Sequence, residues 1–489
     1  MNHSKSLLNN GYQLVFLLSD LGFPISNNLF GQLTIAIDLC RFAHKDFKEV
    51  DIYILTSGTY TKTCISKNIR VIHTNDPFID PSAYKRELGK ILKNKKPTIA
   101  TSFMIHRDAA AVYELSKLKK TFSNLLLLIG LYCTAREYFY DELPIRNFIS
   151  QKAKDYILAK NKYTAAMKRY LTMMLNENSI DKYLVLNEYT KKAYLAKELR
   201  RIIPPDKIYV IRGGADEKLF KPITNKQKML IRKKYMLDER KFILCFGTRF
   251  TQYKGADILE EILNYYNNNI IAPTFLFPLY PNSDTVLLSN KLLGYKKLLE
   301  KNKIKFFLDL SRQKCLLQRD WPTLYKKTCL DIDSFIKNLP TESKKYIEKN
   351  YLGVLDFPYY HLANIVLRPS IADSQAITLF ESALCNCPAY GTNRTGFYHD
   401  LDELREYSVK LPSNIQIFNR YSDYKTHQYN DSVKSVAEEF VHMINKEMEN
   451  FEKKLDPVHT RELVIRNGFT SKAMVKRHVQ LYKSLFANL

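Results

Sequence analysis

The most constraining feature of this chain is a repeated alternation of short apolar runs with helical stretches. The first run, YQLVFLLSD at 12–20, is almost wholly apolar, which is typical of a parallel strand buried on both faces. Helical stretches such as RDAAAVYELSKLKK at 107–120 lie between the runs. This alternation predicts a doubly wound parallel sheet. The other strand candidates of this first series are at 51–57, 69–74, 97–103, 123–131, 181–187 and 206–212.

A second series of apolar runs follows a polar stretch. FKPITNKQ at 220–227 resembles a linker, and KFILCFGTRF at 241–250 then opens a new sheet. A length of 489 residues also exceeds what one core normally holds. We therefore predict a first domain over 1–222 and a second over 223–468. The later strand candidates of the second series are at 274–280, 303–311, 351–357 and 363–370.

The chain is strongly basic, and this limits its partners. Lys and Arg number 75 against 50 Asp and Glu, and the net charge of +25 is spread along the sequence. Such a charge suits nucleic acids, anionic membranes or phosphorylated small molecules. Because no zinc-finger spacing, RNP-type aromatic pattern or basic zipper occurs, we expect no specific nucleic-acid partner. Peripheral contact with an anionic membrane stays open.

The spacing of the eight cysteines and the length of the apolar runs bear on where in the cell the protein is expected. The cysteines lack the paired C-x-x-C spacing of zinc sites. The longest apolar run, LLLLIGLYC at 125–133, is far shorter than the roughly 20 residues that span a bilayer. The beginning of the chain, MNHSKSLLNN, does not have the pattern of a signal peptide. We therefore expect a cytoplasmic protein.

Two cations follow the first strand of the second series. Arg249 and Lys254 lie five residues apart in a strand-to-helix loop that ends in Gly255. Ligands of open α/β sheets bind beyond the carboxyl ends of strands, so these cations could hold a diphosphate leaving group. A solvated basic loop explains the same spacing equally well.

Two carboxylates follow the last strand candidate. If a helix starts after Asp373, the N–H groups of Ser374, Gln375 and Ala376 form an anion site at its amino end. Glu381 lies about two turns further on. Its surroundings, FESALCNCPAY, are largely apolar, which predicts a partly buried carboxylate that needs a partner. A capping Asp and a surface Glu are the plainer alternative.

Five motifs in order make the second half similar to the retaining GT-B glycosyltransferases, which include bacterial glycogen and starch synthases. The chain resembles that family at IRGGADEKLFKP (211–222), FGTRFTQYKGADIL (246–259), RPSIADSQAITLFESALCNCPAYGT (368–392), RTGF (394–397) and FTSKAMVKRHVQLYKSLF (469–486). The resemblance implies an α/β fold of two Rossmann-like doubly wound domains that face a central cleft. It also implies that a terminal helix, 469–489, crosses back to the first domain.

The resemblance further implies a role for each site residue. Arg249 and Lys254 would neutralise the departing diphosphate, while Asp373 would hold sugar hydroxyls. Glu381 would bind the donor's ribose, and His106 would line the sugar pocket. The remaining donor contacts that it implies are at Gly31, Gly213, Gly214, Ser374, Gln375, Ala376, Ile377, Thr395 and Gly396.

The substrate implied by the resemblance is a nucleotide sugar that donates a hexose with retention of configuration. We expect no cofactor and no metal, because the two cations would do what a metal does in other glycosyltransferases. The D-x-D sequence at 331–333 is rejected as a metal motif, since such short matches are common by chance. The acceptor, whether glycan, lipid or protein, stays unknown.

Three alternatives remain open. A glucan-chain-extending synthase would carry a complete K-x-G-G loop, of which only Gly31 is present. A catalytically inert GT-B module would bind a nucleotide sugar or act as a scaffold. It is suggested by Asp373 and by Gln375–Ala376, which replace the family's Glu and Phe-Gly. A nucleic-acid binder would use the net charge of +25 and withstand about 0.5 M salt on a heparin or DNA resin.

Overall fold

The structure is a computed structural model that describes most of the chain. The described residues are 11–18, 35–36, 38–39, 41, 50–57, 64–66, 68–77, 79–103, 105–132, 169–195, 203–248, 250, 254–279, 291–311, 314, 321–371, 373–415, 427–453 and 460–487.

The chain divides into two compact units. The first comprises Met1–Gly214 and Ser471–Leu489, and the second comprises Ala215–Ile417 and Asp423–Thr470. The division lies before residue 215, whereas the sequence motifs suggested 222. The difference has a physical cause, because Ala215 and Phe220 are buried in the core of the second unit.

The first unit is built on an eight-stranded sheet with the order β3-β4-β2-β1-β5-β6-β7-β8. Every pairing is parallel except that of β3 with β4. The strands are β1 (Gln13–Leu18), β2 (Asp51–Thr56), β3 (Cys64–Ser66), β4 (Ile69–His73), β5 (Thr98–Ser102), β6 (Leu125–Gly130), β7 (Lys182–Val185) and β8 (Ile208–Val210).

Helices pack on this sheet through their apolar faces. In α1, Tyr84, Leu88 and Leu92 recur at helical spacing and are all buried. They join a core with Val15 of β1 and Val112 of the next helix. The helices of this region are α1 (Ala83–Leu92), α2 (Ile105–Ser116) and α3 (Glu188–Tyr194).

The second unit is built on a seven-stranded, wholly parallel sheet with the order β12-β11-β10-β9-β13-β14-β15. The predicted α/β class with two doubly wound domains is thus confirmed. The strands are β9 (Ile243–Phe246), β10 (Thr274–Pro278), β11 (Ile304–Asp309), β12 (Tyr351–Leu355), β13 (Ile365–Arg368), β14 (Ala389–Thr392) and β15 (Ser408–Val409).

The helices of the second unit begin at local signals. Thr224 and Gln227 form a capping box at the start of α4. Gly255 precedes α5 in a left-handed conformation. The helices are α4 (Asn225–Lys234), α5 (Ala256–Asn268), α6 (Lys296–Glu300), α7 (Trp321–Lys337), α8 (Thr341–Asn350), α9 (Ile377–Leu384), α10 (Gly396–Asp400), α11 (His427–Glu452) and α12 (Arg461–Arg466).

The strand order of the second sheet reverses between β9 and β13. These strands are direct neighbours, with Cys245 opposite Val366. In open α/β sheets such a reversal opens a crevice at the carboxyl ends of the two strands, and ligands bind there. The loops that begin at Gly247 and Pro369 therefore enclose the natural site of this unit.

The last helix, α13 (Ser471–Phe486), belongs to the first unit. Its apolar side chains are buried, and the Phe486 ring lies 4.2 Å from that of Tyr12. The Tyr482 hydroxyl lies 3.4 Å from Oγ1 of Thr101 on β5. Across the described ranges, no helix combines the length and the apolar character that crossing a membrane requires.

Candidate active site

Two glycines bring the loops after β9 and β13 into close contact. A Cβ on Gly247 would lie 2.8 Å from Cγ1 of Val366. Gly255 has a φ of +83°, and a Cβ there would lie 2.0 Å from the carbonyl oxygen of Pro369. Only glycine allows this approach without strain. The approach places Lys254 beside the loop that follows β13.

Lys254 and Arg368 converge on one carboxylate. Nζ of Lys254 lies 2.6 Å from Oδ2 of Asp373, and Nη2 of Arg368 lies 2.5 Å from the same oxygen. All three side chains are about nine-tenths buried, with relative exposures of 12%, 10% and 9% for the Lys, the Arg and the Asp. The predicted cation Lys254 and the predicted carboxylate Asp373 thus form one cluster at the reversal of the sheet.

The charges of this cluster are strongly coupled. Burial alone would raise the pKa of Asp373, but the positive charges of Arg368 and Lys254 outweigh it and hold that pKa well below its ordinary value. Burial lowers the pKa of Arg368, whereas the charge of Asp373 raises it, with a net rise. The lowered pKa of Asp373 and the raised pKa of Arg368 therefore keep this buried pair charged at neutral pH.

Arg368 is a site residue that the sequence analysis missed. It ends β13, and its Nη1 donates to the carbonyl oxygen of Gly247 at 3.2 Å and to Oγ1 of Thr378. It therefore joins both loops of the crevice and the first turn of α9. An Arg at the end of the apolar run ANIVLR was a usable signal, because a buried cation needs a carboxylate.

The start of α9 differs from the prediction. We expected a helix directly after Asp373 with free N–H groups at 374–376, but α9 begins at Ile377. Ala376 takes a left-handed conformation with a φ of +57°, and its N–H donates to Oδ1 of Asp373 at 3.1 Å. The prediction of a free N–H at Ala376 is wrong, because Asp373 turns the chain before the helix.

Ser374 and Gln375 lie in this turn and are both buried. Gln375 is 1% exposed, and neither atom of its side-chain amide has a hydrogen-bond partner in the part of the chain that is described. A buried amide without partners costs about 1–3 kcal/mol, so its retention beside the crevice is consistent with a polar ligand.

Glu381 lies on α9 and is 2% exposed. Its Oε2 accepts a hydrogen bond from the Tyr360 hydroxyl at 2.7 Å, and the Tyr359 hydroxyl donates to that of Tyr360 at 2.9 Å. The prediction of a buried carboxylate with a partner is confirmed. The partners themselves were not predicted, because the two tyrosines lie about 20 residues away in an unassigned loop.

The RTGF motif packs against the same loop. The Asp373 N–H donates to the carbonyl oxygen of Arg394 at 3.2 Å, and the Gly396 N–H donates to that of Asp373 at 3.1 Å. Thr395 and Gly396 are both buried. Two of the predicted donor contacts therefore lie directly beside Asp373.

The structure does not describe all of the other predicted site residues. Arg249 and Gly31 lie outside the described residues, and so does the side chain of His106, whose backbone lies in the first turn of α2. Gly213 and Gly214 are buried, and they end the segment Met1–Gly214 of the first unit.

The rejected D-x-D sequence lies on α7. Residues two apart on a helix do not share a face, and Asp333 is exposed.

No protein-family model and no curated protein sequence matches this chain. Solved structures do. A glycosyltransferase from Rickettsia africae has 17% identity and a TM-score of 0.54, over 98% of this chain and 100% of that one. Sucrose-phosphate synthase from Thermosynechococcus elongatus has 15% identity and a TM-score of 0.59, over 98% and 100%. HepE from Anabaena, in complex with UDP, has 12% identity and a TM-score of 0.55, over 96% and 100%.

These similarities extend over nearly the whole chain, in agreement with its two doubly wound sheets. At sequence identities of 12–17%, these similarities establish the fold alone. The chain therefore has the fold of the GT-B glycosyltransferases.

Proposed function

We propose that this protein is a metal-independent, retaining glycosyltransferase that moves a hexose from a nucleotide sugar to an acceptor. The observation that carries the proposal is the ion pair of Lys254 with Asp373 at the reversal of the second sheet. Its setting supports the proposal, since the fold is shared with a glycosyltransferase, a sucrose-phosphate synthase and a UDP complex of HepE.

Lys254 would act on the leaving group. When the bond between the anomeric carbon and the diphosphate oxygen breaks, the electron pair stays on the diphosphate. The ammonium of Lys254, held by its bond to Asp373, would attract diphosphate oxygens, whose negative charge grows in the transition state. Arg249, five residues earlier, would supply the second cation.

Asp373 would position this cation. Its carboxylate accepts hydrogen bonds from Lys254, Arg368 and the Ala376 N–H, so the ammonium is held in place before the donor arrives. In this proposal a role in holding sugar hydroxyls is secondary to positioning. Preorganised charge of this kind needs little rearrangement during the reaction.

Glu381 and the loop before α9 would bind the rest of the donor. The carboxylate of Glu381 would accept hydrogen bonds from the ribose hydroxyls while Tyr360 fixes its orientation. The Gln375 amide and the backbone around Ser374 and Ile377 would contact the phosphates and the sugar, with Thr395 and Gly396 beside them.

The acceptor would attack from the face that the diphosphate leaves. The sugar then passes through an oxocarbenium-like state, as in glycoside hydrolysis. The acceptor hydroxyl forms the new bond to the anomeric carbon, and its proton goes to the departing phosphate oxygen. This route retains configuration and requires no nucleophile from the protein.

A second candidate is an inert module that binds a nucleotide sugar. The observation in its favour is that both carboxylate oxygens of Asp373 already accept from protein groups. Binding without turnover would identify it.

The proposal is tested by incubating the full chain with a panel of nucleotide sugars, in the presence of EDTA, and measuring free nucleotide. We expect slow release from one donor, which identifies the base and the sugar together. With an acceptor found, NMR of the product should show the donor's anomeric configuration. Activity that EDTA abolishes and manganese restores would refute metal independence, and an inverted product would refute the same-face route.

A further inference from the structure

The amino-terminal edge of the second sheet carries unusually exposed aliphatic side chains. Met236, Ile270 and Ile271 are 91%, 90% and 70% exposed. Removal of a large aliphatic side chain from water is favourable, so three such side chains on one edge of a sheet can meet an apolar phase together.

The three side chains lie on neighbouring loops. Met236 precedes β9, and the two isoleucines precede β10. The loops adjoin because the Thr274 N–H donates to the carbonyl oxygen of Phe242 at 2.8 Å. The loop before β11 adjoins the loop before β10 in the same way, since the Phe275 N–H donates to the carbonyl oxygen of Lys303 at 2.7 Å.

Lysines flank these aliphatic side chains. Nζ of Lys303 donates to the carbonyl oxygen of Ala272 at 2.7 Å, next to Ile271. Burial lowers the pKa of Lys303, and the positive charges of Lys241 and Lys301 lower it further, against an opposing effect of Asp238. Lys241 and Lys301 are therefore each close enough to repel the ammonium of Lys303.

We call this surface the amino-edge patch and define it by Met236, Ile270, Ile271, Lys241, Lys301 and Lys303. The cations around it outnumber the acids. Lys233, Lys234 and Arg240 add positive charge, while Asp238, Glu239 and Glu300 are the acidic side chains of the same segments.

The helix before Met236, α4, also has exposed apolar side chains. Met229 and Leu230 are 48% and 59% exposed, and Lys226 and Lys233 lie three or four residues to either side on the same helical face. The helix therefore adds exposed apolar and cationic side chains to the segment that leads to Met236.

We propose that the amino-edge patch docks this protein on an anionic membrane surface. Aliphatic tips on separate loops suit insertion at the boundary of headgroups and acyl chains, and the surrounding lysines suit anionic headgroups. A protein partner fits less well, because lysine is depleted in the cores of protein interfaces.

The proposal is independent of the proposed activity. The patch lies at the amino ends of β9, β10 and β11, whereas the candidate site lies at the carboxyl ends of β9 and β13. Docking therefore leaves the crevice of the second unit open. Loss of vesicle binding would therefore contradict only the docking proposal, and absence of donor turnover would contradict only the proposed activity.

The test is co-sedimentation of the full chain with phosphatidylcholine vesicles, with and without phosphatidylglycerol. We expect binding to the anionic vesicles alone. The double variant Ile270→Ser/Ile271→Ser should lower the partition coefficient at least about tenfold. Lys301→Ala should lower it about fivefold, with a smaller effect at high salt. Ile79→Ser is the matched control, because Ile79 is 80% exposed but lies in the first unit.

Several outcomes would overturn the proposal. A parent protein that does not sediment with anionic vesicles would do so, as would a double variant that binds like the parent. An equal loss in Ile79→Ser would show that binding is not specific to this patch. A parent dimer in analytical ultracentrifugation that the double variant abolishes, without vesicle binding, would assign the patch to a second copy of the chain.

Discussion

Nζ of Lys254 lies 2.6 Å from Oδ2 of Asp373, although 119 residues separate the two in sequence. Lys254 follows β9 and Asp373 follows β13, and the two strands are neighbours because the strand order reverses between them. The ion pair therefore exists only when the second sheet is complete, and it lies where such sheets bind their ligands.

Gly255 should be indispensable to this arrangement. An alanine there would take a left-handed conformation and bring its Cβ within 2.0 Å of the Pro369 carbonyl oxygen. We expect Gly255→Ala to lower the free energy of unfolding by about 2–4 kcal/mol, measured in urea.

Gly89 provides the matched control. It lies within α1, and a Cβ there would meet no atom within 4 Å. Gly89→Ala should therefore stabilise the protein by about 0.5–1 kcal/mol. Equal effects of the two substitutions would contradict the close approach at Gly255.

Asp373→Asn should be strongly destabilising. The substitution removes the negative charge that Arg368 and Lys254 face in a buried setting. Breaking a buried ion pair from one side costs about 3–5 kcal/mol, which urea unfolding would show. A loss below about 1 kcal/mol would mean that the cluster is screened by solvent.

The pH dependence of that loss has a defined sign. The pKa of Asp373 is held below its ordinary value of 3.8, so its charge stabilises the fold fully above that pH. The difference in unfolding free energy between the parent and Asp373→Asn should stay constant from neutral pH down to about 5. It should shrink as the pH falls below about 4. A difference that already declines between pH 7 and 6 would contradict the depressed pKa.

Glu381→Ala should weaken binding of the donor's nucleotide by about 1.5–3 kcal/mol, the range for hydrogen bonds to a charged group. Isothermal calorimetry with the nucleotide of the best donor measures this loss. Lys96→Ala, in a half-buried ion pair with Asp51 of the first unit, should bind like the parent. Unchanged affinity in Glu381→Ala would remove this residue from the donor site.

Much of the fold was predictable because buried parallel strands are continuous apolar runs. The runs at β1, β9 and β13 show this, and the helical stretches between them completed the α/β assignment. The strands that were missed carry weaker signals. β15 has two residues, β14 has four with a glycine among them, and β3 pairs antiparallel at the sheet edge.

The site was predictable only in part. Lys254 and Asp373 could be singled out because each follows an apolar strand, and Glu381 because it lies within an apolar run. Their partners could not, because Arg368 and Tyr360 meet them through the tertiary fold. The start of α9 at Ile377 could not be predicted either. It depends on a left-handed conformation at Ala376, and an alanine in the sequence does not indicate that conformation.

The most direct test of the account compares nucleotide release from the best donor by the parent, Lys254→Ala and Lys96→Ala. Both variants remove a lysine from an ion pair with an aspartate, but only Lys254 lies at the reversal of the second sheet. We predict that Lys254→Ala lowers turnover about 10²–10³-fold, with a smaller loss of donor binding, while Lys96→Ala turns over like the parent. Release by Lys254→Ala at the parent's rate, or no release by the parent from any donor, would contradict the central claim.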